Sequence, residues 1–173
     1  MKLDFCGIDF ETACPAKGSA CSVALVRVRS GVITETMHSL INPPDWMTFY
    51  ANFTDIHGLT RKDVKDAPTF DVLWLRMKEF IGDDCMVAHY AVFDRGVLEG
   101  CLAYYKITDN LPPFQCSMLA SRRKWPGLPN HKLNTVSAFL GIELNHHEAL
   151  SDAIACSRIF VEAHKMEKSG DFH

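Results

Sequence analysis

The chain has 173 residues, 47% of them apolar and 23% charged, a length and balance that suit one domain over residues 1–173 and exclude disordered or fibrous classes. Eighteen lysines and arginines against 21 acidic residues leave a net charge of −3, which lacks the basic footprint of a protein that coats DNA. No apolar run approaches the roughly 18 residues of a membrane span, and seven cysteines without a C-x-x-C pair argue against a disulfide framework or zinc finger.

The first segment, MKLDFCGIDFE, reaches Asp4 at once and reads as a strand rather than a signal peptide, which points to the cytoplasm. Strands are expected at Leu3–Glu11, Cys21–Arg29 and Val32–Leu40, joined by short turns and therefore antiparallel. Segment 45–60 is aromatic and irregular and reads as a loop with a short helix. Its Trp46, Phe49, Tyr50 and Phe53 are expected to pack beneath that loop. Pro68 opens a helix over Thr69–Ile81, with Phe70, Leu73, Trp74, Met77 and Phe80 on one face. A short strand Cys85–His89, a helix Val92–Tyr105 with Phe93, Val97 and Cys101 recurring at i, i+4, and an edge strand Phe114–Cys116 follow. Short helices at 117–124 and 132–140 precede a last helix over Glu148–Lys168. Strands first, then strand–helix alternation, predict an α/β fold around a mixed sheet flanked by helices.

Three segments carry candidate chemistry. Asp9 and Glu11 alternate at the end of the first strand, so both carboxylates share a face about 7 Å apart while Phe10 points the other way. Alone, the pair also fits a solvated strand edge. Asp94 lies in the first turn of its helix, where the macrodipole favours an anion. His89 reads as a core histidine with its hydrogen bonds satisfied. On a helical wheel Asp152 falls inside the apolar arc of the last helix, between Ile159 and Ala163. A carboxylate there must be neutralised, paired or bound to metal. His147 precedes that helix and is free to swing. Together these segments supply four oxygen donors suited to Mg²⁺ or Mn²⁺, and a histidine able to take a proton from water.

The same segments resemble the motifs of the DnaQ-like (DEDDh) 3′–5′ exonucleases of the ribonuclease H-like superfamily. D-x-E-T stands at Asp9-Phe10-Glu11-Thr12. H-N-x-x-F-D stands at His89-Tyr90-Ala91-Val92-Phe93-Asp94, with Tyr90 where the family commonly has Asn. H-x-A-x-x-D-A stands at His147-Glu148-Ala149-Leu150-Ser151-Asp152-Ala153. Ile56-His57-Gly58-Leu59-Thr60 is similar to the family's substrate loop, and Pro129-Asn130-His131-Lys132-Leu133 to the segment before the last helices.

The resemblance implies a five-stranded mixed sheet with antiparallel first three strands, and two Mg²⁺ or Mn²⁺ ions. Asp9 would bridge both ions. Glu11 and Asp152 would complete one site, Asp94 would serve the other, and His147 would be the general base. Phe10 and Thr12 would contact the terminal sugar through their backbone, and His57 would line the nucleotide pocket or serve as a structural turn residue. The implied substrate is a 3′ end of single-stranded DNA. RNA, as for an oligoribonuclease, and a proofreading subunit held by a polymerase or repair partner are the alternatives. Arg122-Arg123-Lys124-Trp125 fits either a grip on the nucleic-acid backbone or a solvated helix end.

Overall fold

The computed structural model describes residues 3–165. Three strands come first: β1 (Phe5–Thr12), β2 (Ala20–Arg29) and β3 (Val32–Leu40). Helices α1 (Ala51–His57), α2 (Arg61–Val64) and α3 (Phe70–Ile81) follow. Then come β4 (Met86–Ala88), α4 (Ala91–Tyr104), β5 (Phe114–Cys116), α5 (Ser117–Lys124), α6 (Leu133–Leu140) and α7 (Ala149–His164). The sheet order is β3-β2-β1-β4-β5. β2 runs antiparallel to β1 and β3, whereas β4 runs parallel to β1 and β5. This is the expected mixed five-stranded sheet with helices on both faces.

Side chains alternate across β1 and divide the core in two. Cys6, Ile8 and Phe10 pack on one face against Phe70, Leu73 and Trp74 of α3 and Leu98 and Cys101 of α4. Phe5 packs on the other face with Val26, Val87 and the α7 residues Ala153, Ile159 and Phe160. β2 is buried over most of its length, and this double burial accounts for its nearly continuous apolar run. Gly7 sets the distance between β1 and α7. A Cβ at this position would lie 2.1 Å from Ser157 Oγ, so the missing side chain lets α7 approach the strand that bears Asp9.

Several details depart from expectation. α7 ends at His164, with Lys165 extended at φ −64, ψ 127; residues 166–168 of the expected helix lie outside the described residues. Phe93 is exposed, and α4 instead buries Ala91, Asp94, Val97, Leu98, Cys101 and Leu102. A second short helix, α2, forms on a capping box in which Asp63 accepts from the Thr60 amide at 2.8 Å. The aromatic loop is only partly packed. Phe49 lies against Ala13, Cys21 and Val64, while Trp46 and Tyr50 are exposed. Trp125 is held against Phe139, its ring centre 5.8 Å away, so the basic cluster beside it is the C-terminal turn of α5 and Trp125 belongs to the core margin. All seven cysteines are free thiols. Among the described residues no helix is long and apolar enough to cross a membrane.

Candidate active site

Two helix starts and one strand end converge. Asp9 and Glu11 leave the C-terminal part of β1 on the α7 face, next to a bulge between Glu11 and Thr12. Asp152 enters from the first turn of α7 and Asp94 from the first turn of α4. Carboxylate oxygens of Asp9, Glu11 and Asp152 lie within 4.8 Å of one another. Asp94 stands beside this trio, with its Oδ1 accepting the Phe10 N–H at 3.0 Å. That bond follows from sheet topology. β4 pairs with β1 only at Cys6 and Gly7, so the β1 edge beyond is open and Asp94 takes the amide there.

The site is an electrostatic well in need of cations. Asp94 is 1% and Asp152 4% exposed. Asp9 Oδ2 and Asp152 Oδ1 are shut away from solvent with no hydrogen-bond partner among the described residues. Burial, then Asp94, Asp152 and Glu11, hold the Asp9 carboxyl well above the usual range. Burial, reinforced by Asp152 and Asp94, pushes Glu11 up to about 8. Burial also lifts Asp94 to about 8, against the opposing pull of the Phe10 amide. Asp152 is raised by burial and held back chiefly by His146. Carboxylates can be ionised together in such a place only if positive charge joins them. Buried orphan oxygens on hard donors fit Mg²⁺ or Mn²⁺.

His147 sits two residues ahead of α7 in a left-handed conformation, φ 72. Its backbone N–H donates to Asp152 Oδ2 at 3.1 Å, which pins the turn to a carboxylate of the cluster. Burial, then the neighbouring His146, lower its pKa and favour the neutral ring. His146 was not singled out by the sequence patterns. Its Nδ1 lies 2.9 Å from Asp152 Oδ2, and its ring stacks on His147 with centres 3.8 Å apart. The only signal for it was the His-His doublet. A cavity of about 490 Å³ borders these groups, lined among others by Glu11, Ser22, His38, His57, His146 and His147.

The remaining candidates fall in three positions. His57 lines the cavity and also bonds the Thr12 carbonyl through Nε2 at 3.0 Å. The Phe10 N–H and Thr12 carbonyl are therefore both engaged within the protein. His89 is satisfied, as expected: Nε2 lies 2.9 Å from the His131 carbonyl and Nδ1 2.8 Å from Ser117 Oγ, and burial lowers its pKa to about 4. Tyr90 caps α4 at φ 69, ψ 55. Asn tolerates this left-handed region more readily than Tyr, which gives a physical reason for the Asn that the motif commonly carries.

The mixed sheet gathers acidic side chains at one strand end and two helix starts, the arrangement that the resemblance to the DnaQ-like (DEDDh) exonucleases implies. Residues 6–160 match the exonuclease family RNase_T, and the chain belongs to that family. It is 30% identical over 154 residues to the PolC-type DNA polymerase III of Bacillus cereus, covering 87% of this chain but 11% of that protein. It is 27% identical over 163 residues to the DNA polymerase III subunit epsilon of Aquifex aeolicus, covering 94% of this chain and 77% of that one. Its fold is similar to that of the nuclease domain of 3′hExo, a DEDDh family member bound to rAMP. The TM-score is 0.71 at 19% identity, over 93% of this chain and 91% of that one.

Proposed function

We propose that residues 1–173 form one exonuclease domain that removes nucleotides from the 3′ ends of single-stranded DNA and releases nucleoside 5′-monophosphates. The observation that carries this reading is the meeting of four carboxylates, two with buried unpartnered oxygens, beside a histidine that its surroundings keep neutral. Asp9 lies in the field of the other three, which suits it to bridge two Mg²⁺ or Mn²⁺ ions. Glu11 and Asp152 would complete one position and Asp94 the other. Bound there, the ions would neutralise the cluster and stabilise charge on the attacking and leaving oxygens.

The chain's own groups supply the rest. The neutral His147 ring accepts a proton from the attacking water. The water oxygen bonds to phosphorus, the bond to the 3′-oxygen of the penultimate nucleotide breaks, that oxygen takes a proton from solvent to become a hydroxyl, and the phosphate leaves on the released nucleotide. The cavity beside Glu11, with His57 in its wall, suits an unpaired terminal nucleotide. Both relatives named above belong to DNA polymerase III, which favours DNA and makes a polymerase a fitting partner. The rAMP complex of the similar fold makes RNA the alternative.

The test incubates the isolated chain with Mn²⁺ and matched single-stranded DNA and RNA oligomers, free or blocked at the 3′ terminus. Faster release of 5′-monophosphates from free-ended DNA is expected. A preference for RNA would overturn the substrate assignment, and rapid cutting of a circular strand would overturn the exonucleolytic reading.

A further inference from the structure

Asp152 faces two chemically different donor sets. On one side stand the oxygens of Asp9 and Glu11. On the other, the ring nitrogens of His146 and His147 lie with a carboxylate oxygen of Asp152 within 4.8 Å of one another. Two imidazoles and one carboxylate form a borderline-soft set that suits Zn²⁺, Co²⁺ or Ni²⁺, whereas Mg²⁺ and Mn²⁺ prefer oxygen. We propose that His146, His147 and Asp152 form a second metal site, selective for Zn²⁺-class ions, that shares Asp152 with the carboxylate cluster and switches the enzyme off when filled.

Three observations carry the site. The His146 Nδ1 already lies 2.9 Å from Asp152 Oδ2. The Asp152 side chain is buried, and its Oδ1 has no hydrogen-bond partner among the described residues. The ring centres of His146 and His147 are 3.8 Å apart. A tetrahedral ion with bonds of about 2.0–2.2 Å draws its donors to within roughly 3.3 Å of one another. The His146–Asp152 pair is already inside that distance, so the necessary contraction falls to the His147 ring. The cavity that His146 and His147 border leaves room for water as a fourth ligand.

The consequence follows from which lone pairs are used. A histidine nitrogen bound to an ion cannot accept a proton from water, and an Asp152 drawn toward the histidines is withdrawn from Asp9 and Glu11. Inhibition rests on the nuclease reading above, whereas binding does not.

The experiment titrates the full, reduced chain with Co²⁺ as a visible probe and with Zn²⁺ by calorimetry, in parallel with His146→Ala, His146→Gln and Asp9→Asn. One ion per chain is expected, with tetrahedral d–d bands and no near-ultraviolet thiolate band. Both His146 variants should lose at least about 10-fold in Zn²⁺ affinity and keep their Mn²⁺ affinity, while Asp9→Asn should lose Mn²⁺ affinity and keep that for Zn²⁺. Circular dichroism checks that each variant is folded. Unchanged Zn²⁺ affinity in both His146 variants would overturn the site. So would a thiolate band, which would place the ion at a cysteine such as Cys21, whose Sγ lies 4.0 Å from His57 Nε2. Mn²⁺-dependent hydrolysis is scored separately: its absence would overturn the proposed function, and the Zn²⁺ affinities would still decide the site.

Discussion

The Phe10 amide donates to Asp94 Oδ1 at 3.0 Å, so the residue between the two β1 carboxylates holds a third carboxylate in place. Asn at position 94 keeps an oxygen to accept that bond but removes the charge, whereas Ala removes both. Asp94→Asn should therefore fold at least as stably as the parent in chelator and lose at least about 100-fold in turnover. Asp94→Ala should be less stable than Asp94→Asn by about 1–3 kcal/mol, because a buried amide is left without a partner. Denaturant melts in chelator and single-turnover rates check both.

The pH dependence of the metal-free protein has a definite sign. Folded Glu11 and Asp94 keep their protons up to about pH 8, against ordinary values of 4.5 and 3.8. Between those limits the folded state binds more protons than the unfolded state. Stability from these groups is full below pH 3.8 and is lost as pH rises through 8. His89, lowered to about 4 from 6.5, works in the opposite sense below 6.5. Above 6.5 the carboxylates dominate, so the melting temperature in chelator should fall from pH 6.5 to pH 8. Mn²⁺ should flatten that slope. A flat or rising profile in chelator would contradict the buried carboxylate cluster.

His147→Ala should lose about 10²–10⁴-fold in turnover while Mn²⁺ affinity stays close to that of the parent. In the parent the rate should rise with pH through a midpoint below the ordinary 6.5 of histidine and then level off, since burial lowers the His147 pKa. The variant should lose that rise. Loss of Mn²⁺ affinity in step with activity would make His147 a ligand rather than a base.

Gly7→Ala tests how α7 reaches the site. The new methyl would meet Ser157 Oγ at 2.1 Å, while the next atoms, Ala153 O and Ser157 Cβ, lie at 3.4 Å. The single variant should lose about 1–3 kcal/mol. The double variant Gly7→Ala/Ser157→Ala should recover most of that, because the closest obstacle is gone. Chemical denaturation of the three proteins gives the coupling directly.

Much of the site was legible because its signals are local. Alternation put Asp9 and Glu11 on one face, and the helical wheel put Asp152 among apolar residues before any fold was known. The bounds of β3 and β5 also follow the sequence pattern residue for residue. What escaped depends on tertiary packing. The i, i+4 pattern of α4 places Phe93 on the apolar stripe, yet the helix turns Asp94 inward, where it takes the Phe10 amide that β4 leaves open. His146 precedes its helix, where no periodicity applies, and its role rests on a contact six residues away. The Thr60–Asp63 capping box stands in the sequence as T-x-x-D just after the aromatic segment, on a helix of four residues too short to show a period.

The most direct test of the central claim is hydrolysis of single-stranded DNA labelled at its 3′ end, by the parent chain and Asp9→Asn, each with Mn²⁺ and with chelator. The labelled 5′-monophosphate should appear with the parent in Mn²⁺ and nowhere else, while both proteins remain folded. Equal release in chelator, or by folded Asp9→Asn, would contradict a metal-dependent centre built on the four carboxylates.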